Sequence, residues 1–105
     1  MSKDYLNLLG LAYRAKKCTL GEESIIRDIQ RNKAKLVLLA SDIGQQTRKK
    51  ITDKCTYYKI PWQVVDDRDT LSHALGKSSG RVAVAILDQG FANKLTSLLD
   101  ESIRG

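Results

Sequence analysis

His73 is the only histidine in this chain of 105 residues. It stands between Leu71 and Leu75 on a short helix pattern with no Cys beside it, and reads as a structural or surface residue and not as a general base. Asp66, Asp67 and Asp69 offer the carboxylate oxygens that a hard cation such as Mg²⁺ takes. They fall between a strand pattern and a helix pattern, however, where Asp serves as turn former and cap. The segment Gly76-Lys77-Ser78-Ser79-Gly80 lacks the GxxxxGKS/T spacing and the preceding strand of a phosphate loop. Cys18 and Cys55 form neither a CxxC pair nor a disulfide framework and read as buried, reduced thiols. The inventory therefore predicts no catalytic residue, no metal and no cofactor.

Binding chemistry is better represented. Thr19-Leu20-Gly21-Glu22-Glu23-Ser24-Ile25-Ile26-Arg27 opens an amphipathic helix directly after the basic Arg14, Lys16 and Lys17. A helix start presents unpaired backbone N–H groups and the positive end of the macrodipole, so it can hold an anion. Lys17, Arg27, Arg31, Lys33 and Lys35 surround this second helix, while Lys77 and Arg81 sit in a distant Gly/Ser loop. A fold that brings that loop to the same end of a sheet as the helix start would gather these cations. Residues 1–54 carry 12 Lys and Arg against 6 Asp and Glu, whereas residues 55–105 carry 6 of each. The whole net charge of +6 thus comes from the first half, as a one-sided footprint for nucleic acid requires. Tyr5, Tyr13, Tyr57, Tyr58, Trp62 and Phe91 fall mostly on core faces or strands, which disfavours single-strand stacking and favours a structured backbone with a few base edges. The run Arg48-Lys49-Lys50 with Lys54 is expected to lie mostly in solvent.

These residues are positioned by alternating helix and strand patterns. Helices are predicted at about 5–15, from Gly21 through the Ile25, Ile26 and Ile29 stripe, at about 45–58, at 69–75 and after Asp88 with the stripe Phe91, Leu95, Leu98 and Leu99. Ser2, Asp69 and Asp88 are candidate N-caps. Extended segments are predicted at 18–20, 35–40, 62–65 and 82–87, and the continuous apolar runs among them suit strands covered on both faces. Such alternation implies a single α/β domain with a small central sheet between helices; mixed or parallel pairing and the strand order stay open. No apolar stretch reaches membrane-spanning length and no signal-peptide pattern is visible, so a cytoplasmic protein without membrane contact is expected.

In order along the chain stand Leu9-Gly10-Leu11-Ala12, Gly21-Glu22-Glu23, Lys33-Ala34-Lys35-Leu36-Val37, Asp53-Lys54-Cys55, Ile60-Pro61-Trp62, Leu75-Gly76-Lys77, Ala83-Val84-Ala85-Ile86 and Asp88-Gln89-Gly90-Phe91-Ala92. Together they resemble the kink-turn RNA-binding ribosomal-protein superfamily, the L-seven-Ae and L-thirty-e group, and most nearly its bacterial YlxQ-type members. The resemblance implies a three-layer α-β-α sandwich with a small mixed sheet, and non-catalytic binding of structured, kink-turn-like RNA, ribosomal or otherwise noncoding. Ribosomal proteins are implied as possible neighbours, and a monomer is expected. By position, the RNA site would comprise Lys17, Gly21, Glu22, Glu23, Ser24, Arg27, Arg31 and the loop Lys77, Ser78, Ser79, Gly80, Arg81 and Val82. The strongest kink-turn binders carry Asn-Glu two and three residues after the Gly, where this chain has Glu23 and Ser24. Asn to Glu removes an amide donor and leaves an acceptor-only carboxylate. The loop also looks shorter than in archaeal members. The other function the sequence allows is a ribosome-associated adaptor that binds protein and reads no particular RNA.

Overall fold

The structure, a computed structural model, describes residues 4–78 and 80–104, with side chains to residue 100. Ser2, expected as the first helix cap, lies outside the described residues. The elements run α1 (Asp4–Arg14), β1 (Cys18–Leu20), α2 (Glu22–Gln30), β2 (Leu36–Leu39), α3 (Gln45–Tyr58), β3 (Trp62–Val64), α4 (Arg68–Ala74), β4 (Ala83–Ile86) and α5 (Gln89–Arg104).

The four strands form one sheet in the order β1-β4-β2-β3. β4 is antiparallel to both β1 and β2, and β2 pairs with β3 in parallel, so the sheet is mixed. Periodicity alone cannot give this order, because β2 and β4 are apolar at every position and present the same pattern from either side. Their alternate side chains feed two cores. Leu36 and Leu38 of β2, with Val84 and Ile86 of β4, pack under Leu9 of α1, Leu71 of α4 and Leu95 of α5. Val37, Leu39, Ala83 and Ala85 face the other way, against Ile25 and Ile29 of α2 and Ile51 and Cys55 of α3. Helices therefore cover both faces, giving the α-β-α sandwich.

Polar ties fix the edges. Tyr5 Oη donates to Asp66 Oδ2 and also accepts the Asp66 backbone N–H, so α1 is fastened to the turn after β3. Burial first, then the bond to Asp66, pushes the phenol well above its ordinary value. On β1, Thr19 points to the α2 side and donates to Asp28 at 2.5 Å. The α4 cap differs from expectation: Asp67, not Asp69, is the N-cap, its Oδ1 accepting the Thr70 N–H at 2.8 Å. The helix begins one residue earlier than its apolar stripe suggests, which moves Asp69 into the first turn. At the last helix the expectation holds, with Asp88 Oδ2 accepting the Phe91 N–H at 2.9 Å.

Two outcomes test these assignments. Asp67→Ala should cost about 0.5–2 kcal/mol in denaturant unfolding, the usual range for a lost cap, and Asp69→Ala clearly less. Burial pushes the Cys18 thiol up to about 12 and the Cys55 thiol up to about 11. Raised values keep both sulfurs protonated at pH 8, and the thiolate is the reactive form. A disulfide reagent at pH 8 should therefore label the folded protein many times more slowly than the unfolded chain.

Candidate nucleic-acid interface

The antiparallel register of β1 and β4 sets Leu20 opposite Val84. The chain leaving β1 at Gly21 therefore emerges beside the chain entering β4, and the two segments share one end of the sheet. Gly21, Glu22 and Ile25 of the α2 start line one wall of a small cleft of about 90 Å³, Gly80, Arg81, Val82 and Ala83 a second, and Thr47 and Ile51 of α3 a third.

Gly21 occupies the N-cap position of α2 at φ 92°, ψ 133°, and supplies no side-chain cap. The left-handed φ is open to glycine at little cost and strained for other residues. The first-turn N–H groups that a capping side chain would engage thus stay available at the cleft mouth. Glu22 does not project freely among them. Lys50 Nζ of α3 donates to its carboxylate at 3.1 Å. That bond, followed by one from Thr47, holds the Glu22 carboxyl below the usual carboxylate range. Glu23 is exposed, Ser24 half-buried, and Arg27 exposed one and a half turns along the helix.

Arg81 enters from the opposite wall. Its backbone N–H donates to Oγ of Ser72, a fully buried residue, at 2.8 Å. Its side-chain Nε is buried and has no hydrogen-bond partner among the described residues. A buried donor without an acceptor is unfavourable, and it lies in a residue that lines the cleft. Gly80 (φ 84°) gives the turn just before it.

Other expected residues lie elsewhere. Lys17 is at the far end of β1, about 13 Å of strand from Gly21. Arg31 follows the last residue of α2, a helix nine residues long, and so lies about 14 Å from the helix start. The Lys77 ammonium sits 5.1 Å over the Tyr13 ring, which draws it toward α1 and away from α2. Ser78 is exposed, Ser79 lies outside the described residues, and Val82 is half-buried with its carbonyl accepting the Ala40 N–H at 2.8 Å.

Lys50 and Thr47 are the residues that the sequence did not single out. Arg48, Lys49 and Lys50 look equivalent as a run, but the structure sends them three ways. Arg48 lies 5.8 Å over Trp62, Lys49 pairs with Asp53 at 3.0 Å, and Lys50 pairs with Glu22 of the cleft wall at 3.1 Å. The available signal was Thr47, Ile51 and Cys55, whose i, i+4, i+8 spacing marks the inward stripe of α3 and places Lys50 at its border.

His73 is exposed on α4 and borders an open groove of about 1050 Å³ between α1 and α4, shared with Asp4, Arg14 and Asp69. Among the described residues, no group of three or more His, Cys, Asp or Glu could hold a metal ion, and no helix is long and apolar enough to cross a membrane.

Comparison with known proteins agrees with this architecture. Residues 3–96 match the model of the ribosomal protein L7Ae/L30e/S12e/Gadd45 family. The RNA-binding protein YlxQ of Bacillus subtilis is 53% identical over 97 residues, covering 92% of this chain and 96% of that protein. The large ribosomal subunit protein eL8 of Thermoplasma volcanium is 29% identical over 91 residues, covering 86% and 74%. Among solved structures, a Bacillus halodurans protein described as of unknown function superimposes with a TM-score of 0.90 at 43% identity, covering 94% of this chain and 99% of that one. A 15.5 kDa RNA-binding protein of Giardia lamblia gives 0.80 at 17% identity, covering 96% and 89%, a likeness of fold alone. With the mixed sheet flanked by five helices and nearly the whole length matched, the chain belongs to the ribosomal protein L7Ae/L30e/S12e/Gadd45 family.

Proposed function

We propose that this protein binds structured RNA, ribosomal or otherwise noncoding, in the cytoplasm and performs no chemistry on it. The observation that carries this is the cleft where the uncapped α2 start meets residues 80–83, with the Arg81 Nε buried and without an acceptor. A family whose members include ribosomal proteins, and a relative named as an RNA-binding protein at 53% identity, support the same reading.

The division of labour follows from the side chains. Glu22 is paired to Lys50 and so is not an open negative charge at the phosphate-facing turn. Glu23 is the free acceptor and suits a guanine N–H edge. Arg27 and Arg81 supply the phosphate contacts, and the first-turn N–H groups of α2 add their dipoles. The RNA shape that fits is a kink-turn-like element whose base edges come within reach of a helix start. Glu23 in place of Asn then shifts the preference away from the standard kink-turn.

Titration of a kink-turn hairpin by fluorescence anisotropy checks each part. With about four phosphates engaged, the log of affinity should fall against the log of salt with a slope of about −3 to −4; a flat response would sink the reading. Arg27→Ala and Arg81→Ala should each weaken binding about 10- to 100-fold, as expected for lost charge-assisted hydrogen bonds. Arg48→Ala, on the Trp62 ring, should change affinity by less than about threefold. Equal losses at all three positions would mean diffuse attraction, and no loss at any would favour the adaptor function instead. Glu23→Asn should gain affinity for the standard kink-turn hairpin.

A further inference from the structure

Five cations of the first half of the chain gather at one end of the sheet. Register places Cys18 and Leu36 on either side of Ile86, so the residues just before them meet at the end remote from the cleft. There the Lys17 carbonyl accepts the Leu87 N–H at 2.8 Å, and the Lys35 N–H donates to the Ile86 carbonyl at 2.7 Å. Lys17 and Lys35 thus flank β4 at a separation of about 10 Å, two inter-strand spacings. The turn after α2 brings Arg31 and Lys33 to the same end, where the Lys33 N–H donates to the Asp28 carbonyl at 2.8 Å. Lys16 adjoins Lys17 and holds a left-handed φ of 62°.

What marks this group is that five cations gather at one end of the sheet with no carboxylate partner among the described residues. Lys49, Lys50 and Arg68 each pair with an Asp or Glu. Lys16, Lys17, Arg31 and Lys33 are exposed and make no ion pair among the described residues, and Lys35 is half-buried with its Nζ donating to the Asn32 carbonyl at 3.2 Å. Two carboxylates of the adjoining segments are already engaged: Asp28 of α2 accepts from Thr19 of β1 at 2.5 Å, and Asp88 accepts the Phe91 N–H at 2.9 Å. The five residues are all Lys or Arg, a composition that suits the phosphates of a backbone-presenting nucleic acid.

We infer that Lys16, Lys17, Arg31, Lys33 and Lys35 form a second phosphate-contacting surface, which takes the duplex stem flanking the RNA element held at the α2 start. This rests on the RNA-binding function proposed above and extends it. α2 joins the two surfaces over about 14 Å, roughly four base-pair steps at the phosphate spacing of a duplex. A stem leaving the cleft along α2 therefore reaches the second group within half a helical turn.

Two kink-turn hairpins that share the internal element and differ in stem length provide the test, with about 12 flanking base pairs in one and about 2, closed by a tetraloop, in the other, either side of the roughly four steps that the duplex phosphate spacing requires. The wild-type protein should bind the long form about tenfold more tightly. A Lys17→Gln, Arg31→Gln, Lys33→Gln triple variant should lose that advantage, and its salt slope on the long form should flatten by about 3, near 0.9 per released phosphate. Its affinity for the short form should stay within about twofold, as suits exposed substitutions away from the cleft. A control that removes the same charge from α3 and the turn after it (Lys49→Gln, Lys54→Gln, Lys59→Gln) should keep the length advantage. Equal wild-type binding to the two hairpins, a triple variant that weakens both alike, or a control that also loses the advantage would overturn the second surface. Loss of short-form binding in Arg27→Ala and Arg81→Ala reports on the cleft separately, so the two claims fail independently.

Discussion

The antiparallel pairing of β1 with β4 is the constraint on which the rest of this molecule depends. These short strands have only a few rungs of hydrogen bonds, but their register decides what meets at each end of the sheet. One end receives the α2 start and the segment leading into β4; the other receives Lys17 and Lys35. A slip of one residue would turn Thr19 toward the α1 side and break its bond to Asp28, while sending Cys18 and Leu20 to the other face. Burial of Val84 and Ile86 on one face of β4, and Ala83 and Ala85 on the other, locks its central position.

The element pattern was legible because β2, β4 and the helical stripes are strongly periodic or continuously apolar. Cys18–Leu20, Gln45–Tyr58 and the Asp88 cap were all readable from local chemistry. Strand order was not, because it is set by which faces remain to be covered once all helices are present. Asp67 was missed as a cap for a local reason. Asp66, Asp67 and Asp69 are chemically alike, and only the backbone (Asp67 at φ −69°, ψ 171°) distinguishes the one that stands outside the helix.

The cleft was legible in part. Gly21 and the loop before β4 stand about sixty residues apart, and the anion-holding chemistry of the helix start made the first of them conspicuous. Its acids posed an apparent contradiction that sequence could not resolve, since Lys50 lies 28 positions from Glu22. The ion pair is between partly exposed groups and contributes little to stability. Its effect is directional: it turns one acid toward α3 and leaves Glu23 as the open acceptor. Lys77 shows the converse, a loop cation drawn by the face of Tyr13 toward another helix.

Ser72 gives the loop before β4 an unusual boundary. Its carbonyl accepts the Lys77 N–H at 2.9 Å and its hydroxyl accepts the Arg81 N–H at 2.8 Å, so one buried residue holds both shoulders of the segment. What happens between the shoulders is mechanically uncoupled from what lies outside them. Residues can be added or removed there without shifting Arg81 or the strand that follows, because the closure cost of a flexible loop grows only slowly with length. The segment between the two shoulders is thus free to vary in length and composition, while the Arg81 backbone stays tied to the buried Ser72.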